Sequence, residues 1–302
     1  MALKDIKAKI GSTNRTNKVT RAMEAVSAVK MRKTQERALS GRPYARAALQ
    51  ILSRLSAGAD LARHALTASR SVNRVALIII TSDKGLAGAL NANVTKAARA
   101  AVSAYEADNV SVYAYGKKGA DFFTHRGYRV ANFWENRTDD IELSVMDRLV
   151  ADLSGAYAAH EFDRVLVAYS NFRSTFEQVA TVRVLLPLSV SEVEKLVTDI
   201  IPAKGRFSEL SRSTEAPAYT IEPEDAELLD LLIPRLVASS LYHMLLESKA
   251  SEHSARMVAM KNASDKSKEV VRDLTRTYNK LRQAAITREV SEIVGGREAL
   301  AS

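Results

Sequence analysis

The chain has 302 residues, of which 46% are hydrophobic and 26% charged, a balance typical of a folded protein with one large or two small domains. It contains no cysteine, which excludes disulfides, thiol nucleophiles and cysteine-ligated zinc, and its five histidines show no metal-ligand spacing. No apolar run reaches the ~18 residues of a membrane span, and the polar start lacks a secretory signal, so we expect a protein kept in the cytoplasm.

The formal net charge of +9 is concentrated towards the two ends of the sequence. Residues 1–50 hold 12 Lys and Arg against 3 Asp and Glu, and residues 249–302 hold 11 against 7. The residues between them carry a small acidic excess. A basic surface of this kind predicts an acidic partner, which nucleic acid, a membrane face or acidic protein loops would each provide.

Apolar residues at helical spacing predict a long helix at the start of the chain. Leu3, Ile6 and Ile10 open the pattern, which breaks at the polar residues 11–14 and then resumes. We interpret the resumed pattern as a coiled-coil seam that continues past Gly41 and Pro43. Its predicted members are Val19, Ala22, Met23, Val26, Val29, Tyr44, Ala48, Ile51, Leu52 and Leu55.

The densest basic run of the sequence lies within this first helix. One interpretation is a solvated face beside the coiled-coil seam. The other is a helix that a partner contacts on several sides, because Met23 and Met31 among the charges indicate more than one covered face. The run consists of Lys18, Arg21, Lys30, Arg32, Lys33 and Arg37.

From residue 72 the pattern changes to that of an α/β domain. Residues 75–80 form a continuous apolar run, which is typical of a strand covered on both faces. Strands alternating with helices favour a mostly parallel sheet with helices on both faces. Further strands are predicted at 110–115, 128–133, 163–169 and 176–187, the last two as a hairpin across 170–175, and helices at 91–107, 117–125 and 141–159. Residues 187–219 are predicted as loop, with a short strand near 219–221.

The last third of the chain predicts the longest helix, which opens in the acidic segment 222–227. No glycine or proline occurs from Arg235 to Val294, a run of ~60 residues that spans ~90 Å as a helix. Its apolar and small residues alternate between spacings of three and four, which predicts a left-handed coiled coil. The predicted seam is Met257, Met260, Ser264, Ser267, Val271, Leu274, Tyr278, Leu281 and Ala285.

A helix of that length exceeds the width of a compact domain, so we expect the N-terminal helix to cover its seam. The predicted fold class is α/β, with an antiparallel coiled coil of the long N- and C-terminal helices and a central Rossmann-like domain. The predicted domains are 1–58, 72–221 and 222–302.

The strongest candidate for chemistry is the glycine-bearing loop TSDKGLAGALN at residues 81–91, between a strand and a helix. Phosphates bind at such loops because a helix start offers free backbone N–H groups. The loop has only Gly85 and Gly88 and matches neither GxxxxGK[ST] nor GxGxxG, so a tight turn is the better interpretation. No nucleophile elbow occurs either, and no catalytic residue, cofactor or metal is predicted.

Four segments carry longer motifs: KVTRAMEAVSAVKM at 18–31, TSDKGLAGALN at 81–91, SEHSARMVAMK at 251–261 and QAAITREVSEIVGG at 283–296. Together they resemble the gamma subunit family of F-type ATP synthases, in the family's order and across nearly the whole chain. Within the second motif, Ala87 stands where the family often has cysteine or another small residue. Two departures are visible: Arg297 follows Gly296 where the family commonly has alanine, and the cysteine-bearing regulatory insert of chloroplast members is missing.

The resemblance implies a non-catalytic rotor subunit of the bacterial type, present once per complex, that couples hydrogen ion transport to ATP synthesis. It implies a coiled coil inside a hexameric ring of alpha and beta subunits, and an α/β domain that rests on the epsilon subunit and the c-ring. Membrane association would be indirect, through the c-ring, at the cytoplasmic face of the cell inner membrane. The implied partner contacts are Lys18, Arg21, Met23, Lys30, Arg32, Lys33, Arg256, Gln283, Thr287 and Glu289.

Two alternatives remain at the level of sequence. A basic coiled-coil nucleic-acid-binding protein would explain the charge, although residues 1–43 contain no aromatic side chain for stacking on bases. A nucleotide-using enzyme would explain the loop at 81–91. The resemblance favours neither, and we expect no nucleic acid among the partners.

Overall fold

The computed structural model describes residues 3–40, 64–141, 143–189 and 225–301. These residues form two compact units, residues 1–27 with 257–302 and residues 28–256. The helices are α1 (Leu3–Ser40), α2 (Leu90–Val102), α3 (Lys117–Thr124), α4 (Leu143–Ala158) and α5 (Asp225–Ala301). The strands are β1 (Val75–Ile80), β2 (Val110–Tyr115), β3 (Arg129–Trp134), β4 (Arg164–Ser174) and β5 (Glu177–Leu186).

The five strands form one sheet in the order β3-β2-β1-β4-β5. The first four are mutually parallel, and β5 pairs antiparallel with β4. All six residues of β1 are buried, as the apolar run predicts for a central strand. The α/β domain and its mostly parallel sheet are therefore confirmed.

The alternating side chains of β1 feed two hydrophobic cores, one on each face of the sheet. One core packs the even-numbered residues of β1 against α4 and the start of α5, and the other packs the odd-numbered residues against α2 and α3. The two cores include Ile78, Tyr157 and Leu241 on the first face and Ile79, Val94 and Phe123 on the second. Helices thus cover both faces, which explains why β1 contains no polar residue.

The predicted hairpin is present, but the position predicted for its turn, residues 170–175, was wrong. Residues 170–174 belong to β4, and their pairing with β5 continues until Ser174 lies opposite Glu177. The stretch resembles a turn because Ser170 and Asn171 are polar, yet both side chains are buried. Ladder hydrogen bonds satisfy the backbone there, and the carbonyl of Ser170 accepts a further bond from the hydroxyl of Ser251 in α5 at 3.0 Å.

Helix α1 is continuous through the polar stretch at 11–14, where the apolar pattern of the sequence is interrupted. The hydroxyls of Thr13 and Thr16 donate to the carbonyls one turn earlier, at 2.8 and 3.3 Å, so these residues fit the helix without unpaired groups. The predicted positions Tyr44, Ala48, Ile51, Leu52 and Leu55 lie outside the described residues.

The predicted seam of α1 was wrong for most of its described members after residue 14. Val19, Val26 and Val29 are 58%, 54% and 70% exposed, whereas Thr20 and Ser27 are buried. Small polar side chains can fill a close helix contact because their hydroxyls bond within their own helix, as that of Thr20 does with the carbonyl of Asn17 at 3.0 Å. The predicted opening residues Leu3, Ile6 and Ile10 do lie on the seam, which continues through Thr13, Asn17, Thr20, Glu24 and Ser27, all buried or half-buried.

Helices α1 and α5 pair as the predicted antiparallel coiled coil. The side-chain amide of Asn17 donates to the carbonyl and hydroxyl oxygens of Ser264, at 2.6 and 3.0 Å. The predicted seam of α5 is confirmed from Met257 to Tyr278, where every member is buried or half-buried, while Leu281 is 39% exposed.

Helix α5 extends over 77 residues and contains Pro234 as well as the two glycines at 295 and 296. The acidic residues 222–224 lie outside the described part of the chain, as do the loop and short strand predicted for 190–221. The predicted domain bounds at 58, 221 and 222 also lie outside the described residues, in the ranges 41–63 and 190–224, and stay predictions.

Candidate partner surfaces and the loop at the sheet edge

The loop at residues 81–91 connects β1 to α2 at the carboxyl edge of the parallel strands, where doubly wound folds bind ligands. The carboxylate of Asp83 accepts from the backbone N–H groups of Lys117, at 2.6 Å, and Asn136, at 2.8 Å. Lys117 is the first residue of α3, so this carboxylate occupies the position that a phosphate would take at a helix start.

The remaining donors at the start of α3 are taken as well. The N–H of Lys118 donates to the carbonyl of Ser82 at 3.3 Å, and that of Gly119 donates to the hydroxyl of Thr81 at 2.8 Å. No free backbone donor is left in this turn for a bound phosphate. The geometry agrees with the interpretation of the loop as a structural turn.

A groove of about 390 Å³ opens beside the loop. Three acidic and three basic side chains line it, and Glu135 and Arg137 among them pair at 2.8 Å. This balance gives the groove no preference for anions. Its lining is Asp83, Lys84, Lys117, Ala120, Asp121, Phe133, Glu135 and Arg137.

The loop is held in one conformation and presents an apolar side chain to the outside. The N–H of Ser82 donates to the side chain of Asn91 at 3.0 Å, and the amide of Asn91 returns a bond to the hydroxyl of Ser82 at 2.8 Å. Leu86 has a φ of 64° and is 62% exposed. The guanidinium of Arg256 donates to the carbonyl of Gly85 at 3.3 Å.

Arg256 differs from the other predicted contact residues because it is only 8% exposed. Besides its bond to the loop, its guanidinium pairs with the carboxylate of Glu252 at 2.7 Å. The structure therefore gives Arg256 an internal role, which motif resemblance alone did not indicate.

The basic residues predicted to contact a partner on α1 form an exposed surface. Lys18, Arg21, Lys30, Arg32 and Lys33 are exposed and Met23 is half-buried. The exposed Val19, Ala22, Val26 and Val29 recur among them at spacings of three and four. We call these four residues the outer stripe. These residues were predicted as members of the seam, since an exposed apolar row on a helix has the same periodicity as a buried one.

The predicted contact residues near the end of α5 are exposed too. Gln283, Thr287 and Glu289 lie beside the exposed apolar Ile286 and Val290, and Ile293 is 71% exposed. The hydroxyl of Thr287 donates to the carbonyl of Gln283 at 3.0 Å. A helix end that carries exposed apolar residues on more than one side is typical of a segment that a partner encloses.

Lys30, one of the predicted contacts on α1, forms an ion pair within the described part of the chain. Its ammonium lies 2.6 Å from the carboxylate of Asp139, which also accepts from the imidazole Nε2 of His253 at 2.8 Å. Burial alone would raise the pKa of Asp139, but Lys30 and His253 together hold it below its ordinary value. Burial lowers the pKa of His253, and likewise that of Lys249 nearby.

Within the described ranges, no group of three or more His, Asp or Glu side chains is arranged to hold a metal ion. Among the same residues, no helix has the apolar length that crossing a bilayer requires.

Comparison with known proteins gives whole-length matches. The family model described as ATP synthase matches residues 2–300. The ATP synthase gamma chain of Chlorobium luteolum is 38% identical over 304 residues, covering 99% of this chain and 98% of that protein. The corresponding chain of Psychrobacter cryohalolentis is 40% identical over 300 residues, with 99% of each covered.

Two solved structures share the fold. A chain of the Euglena gracilis mitochondrial ATP synthase aligns with a TM-score of 0.64 at 18% identity, covering 99% of this chain and 94% of that one. A chain of the central stalk and c-ring of the Tetrahymena thermophila mitochondrial ATP synthase aligns with a TM-score of 0.56 at 24% identity, covering 82% and 99%.

Proposed function

The chain belongs to the ATP synthase gamma family, and we propose that it is the rotating central shaft of a bacterial F-type ATP synthase. The observation that carries the proposal is the pairing of α1 with α5. Helix α5 is continuous over 77 residues. On this proposal the chain is non-catalytic, and ATP is made or hydrolysed on beta subunits around it.

The paired helices suit the transmission of torque. A shaft of two helices lacks threefold symmetry, so it contacts three equivalent sites differently at any instant, and its rotation takes each site through the same three states. Each proton that crosses ~100 mV delivers ~2.3 kcal/mol, so several protons per step transmit on the order of 10 kcal/mol. Continuous helices carry such a load, whereas a flexible linker would dissipate it.

The outer stripe and its basic neighbours form the first proposed contact with the ring of alpha and beta subunits. Exposed valines between lysines and arginines fit a partner surface that is apolar at its centre and acidic at its rim. Lys18, Arg21, Met23, Lys30, Arg32 and Lys33 are the proposed contact residues.

The end of α5 forms the second proposed contact with the ring, through Gln283, Thr287 and Glu289. The exposed Ile286 and Ile293 fit an apolar sleeve around the helix. Arg256 is expected to act indirectly, because it is buried and holds the loop at Gly85 while Leu86 faces outwards.

The α/β domain is proposed to rest on the epsilon subunit and the c-ring, with one copy of the chain per complex. Membrane association would then be indirect, at the cytoplasmic face of the inner membrane. The exposed side chains of β3, with Phe133 at 42% exposure, leave this edge of the sheet available for a neighbouring subunit.

Affinity purification of the tagged chain from gently solubilised membranes tests the proposal. We expect nucleotide-binding subunits and a membrane ring to be recovered with it, at one copy of this chain per complex. Recovery of the chain alone would contradict the proposal. Tight, strongly salt-dependent binding of RNA or DNA by the purified chain would instead favour a nucleic-acid-binding function.

A further inference from the structure

A short loop between β3 and α4, residues 135–140, ties together elements that are distant in sequence. We call it the clasp loop. Its Asn136 bonds to the end of β1, through the side-chain amide to the carbonyl of Thr81 at 2.6 Å and through the backbone N–H to Asp83 at 2.8 Å. The backbone carbonyl of Asn136 accepts a hydrogen bond from the ammonium of Lys249 in α5 at 3.1 Å. The clasp loop is thereby fixed both to the sheet and to α5.

The centre of the clasp loop is the carboxylate of Asp139, which is shared between two helices. One oxygen lies 2.6 Å from Lys30 in α1, and the other lies 2.8 Å from Nε2 of His253 in α5. Arg37, two turns further along α1, adds a bond to the carbonyl of Asp139 at 3.3 Å and an ion pair with Asp140 at 2.6 Å. A single carboxylate thus joins α1, α5 and the α/β domain.

We propose that Asp139 is a positioning residue that clasps the 28–40 segment of α1 onto the α/β domain, and that this clasp loosens as the pH falls. In a rotor shaft, such a clasp makes both helices turn with the domain rather than α5 alone. The proposal goes beyond partner binding because it concerns a contact inside the chain.

The pH dependence follows from the surroundings of His253. Its side chain is only 6% exposed, Nε2 donates to Asp139, and Nδ1 is buried without a hydrogen-bond partner. Protonation would place a second N–H at Nδ1, where the described structure offers no acceptor. The neutral imidazole is the form that fits the closed clasp.

The charged groups around the clasp come from each element that packs against it. They are Lys30 and Arg37 from α1, Lys249, Glu252 and Arg256 from α5, Asp139 and Asp140 from the clasp loop, and Asp83 from the end of β1. Glu252 and Asp139 raise the pKa of His253 and Arg256 lowers it, but burial is the largest effect and lowers it.

The sign of the effect follows from this direction. An opened clasp exposes His253, which then regains the ordinary pKa of 6.5, while the closed clasp keeps a lower value. As the pH falls from about 6.5 towards the lower pKa of the closed form, the open form binds a proton that the closed form does not, so acid favours opening. Above that pH the clasp has its full stability.

Distance measurements between spin labels test the clasp directly. The chain has no cysteine, so Lys33→Cys on α1 and Glu106→Cys on the α/β domain, both exposed, give two unique labels in the full-length chain. We expect a single narrow distance in the parent and a second population in Asp139→Asn. We expect the second population to be about tenfold larger in Asp139→Asn than in the parent. A change of that size lies between the effects of removing an exposed and a buried ion pair.

Matched variants separate the clasp from general destabilisation. Asp108→Asn removes the same charge from an exposed site of the same domain and should leave the distances unchanged. Lys30→Met removes only the α1 side of the clasp and should reproduce the effect of Asp139→Asn even if that variant folds poorly. Unchanged distances in both Asp139→Asn and Lys30→Met would overturn the proposal.

The pH series tests the second half of the proposal. The open population of the parent should rise below about pH 6.5, whereas His253→Gln keeps a donor without a titrating ring and should respond less. An identical pH response in the parent and in His253→Gln would refute the role of His253. In the assembled complex, Asp139→Asn should lower the protons pumped per ATP hydrolysed, and Asp139→Glu should restore part of the loss.

Discussion

Gly116 ends β2 with a backbone conformation that side chains rarely adopt, at a φ of 109°. Its N–H donates to the carbonyl of Trp134 at 2.8 Å, which joins the ends of β2 and β3. A Cβ atom at this position would lie 2.0 Å from the carbonyl oxygen of Thr81. The close approach of three strand ends, and with it the geometry around Asp83, therefore depends on this glycine.

We expect Gly116→Ala to lower the free energy of unfolding by about 3 kcal/mol or more, because the methyl group meets backbone atoms that cannot move aside cheaply. Urea denaturation of the full-length chain measures the change. Gly127→Ala is the matched control, since Gly127 also has a positive φ, 79°, but open space around it. If Gly116→Ala lowered the free energy of unfolding no more than Gly127→Ala does, the structure would have relieved the collision and the prediction would be wrong.

At the scale of elements, α1 carries two rows of residues with similar spacing, and only one faces its partner helix. From Thr13 to Ser27 the inner row, buried or half-buried, consists of threonine, asparagine, glutamate and serine, and the outer stripe consists of valine and alanine. The usual rule that apolar residues lie inside is inverted here for a stretch of one helix. The inversion is consistent with an outer face that is covered in a complex.

Neighbouring substitutions on α1 distinguish the two rows. Ser27→Leu should lower the free energy of unfolding by about 1–3 kcal/mol, because Ser27 is 3% exposed and a larger side chain overpacks the contact. Val26→Leu, one residue away and 54% exposed, should change it by less than about 0.5 kcal/mol. Thermal denaturation of the two variants compares them, and equal effects would contradict the assignment of the rows.

The continuity of α5 is tested by Leu274→Pro. Leu274 is half-buried in the seam, and proline there removes a backbone hydrogen bond and kinks the helix at a cost of about 3 kcal/mol or more. We expect the variant to lose coupled ATP synthesis, measured in membrane vesicles. Leu274→Met, which keeps size and helix propensity, is the control and should be close to normal. Normal rotation and synthesis in the proline variant would refute the shaft.

At the scale of the whole molecule, the exposed apolar residues indicate where we expect partner proteins to cover the chain. The outer stripe of α1 and the end of α5 are the two described regions where they recur along a helix. The phosphate position at the sheet edge is instead closed by Asp83. The exposed apolar rows therefore lie on α1 and α5, whereas the sheet edge, where this fold type commonly binds a nucleotide, is occupied by a carboxylate of the chain itself.

Replacing Val19, Val26 and Val29 together by serine should weaken assembly and leave the isolated chain as stable as before. Each valine that becomes buried in the complex contributes about 1 kcal/mol through its apolar surface, so the dissociation constant should rise by a factor of several per residue. Titration of the chain against the reconstituted ring measures this. Val179→Ser, an exposed valine on β5, is the control, and equal affinities for the two variants would exclude the stripe as a contact.

Much of the fold followed from the sequence because its signals are local. The run at 75–80 contains no polar residue, which predicts a strand covered on both faces, and the absence of glycine and proline from 235 to 294 favours a long helix. The four motifs identified the family for the same reason, since each is a contiguous segment. Their order and the helix-bearing ends of the chain were enough to predict a shaft.

Tertiary structure alone decided which of two equally spaced rows on α1 is buried, because periodicity gives the angle between side chains and not the direction of a neighbouring helix. It also decided that Asp83 fills the anion position of α3 and that Asp139 joins Lys30 to His253. These contacts connect residues 34 to 114 positions apart, and no local pattern records such a distance.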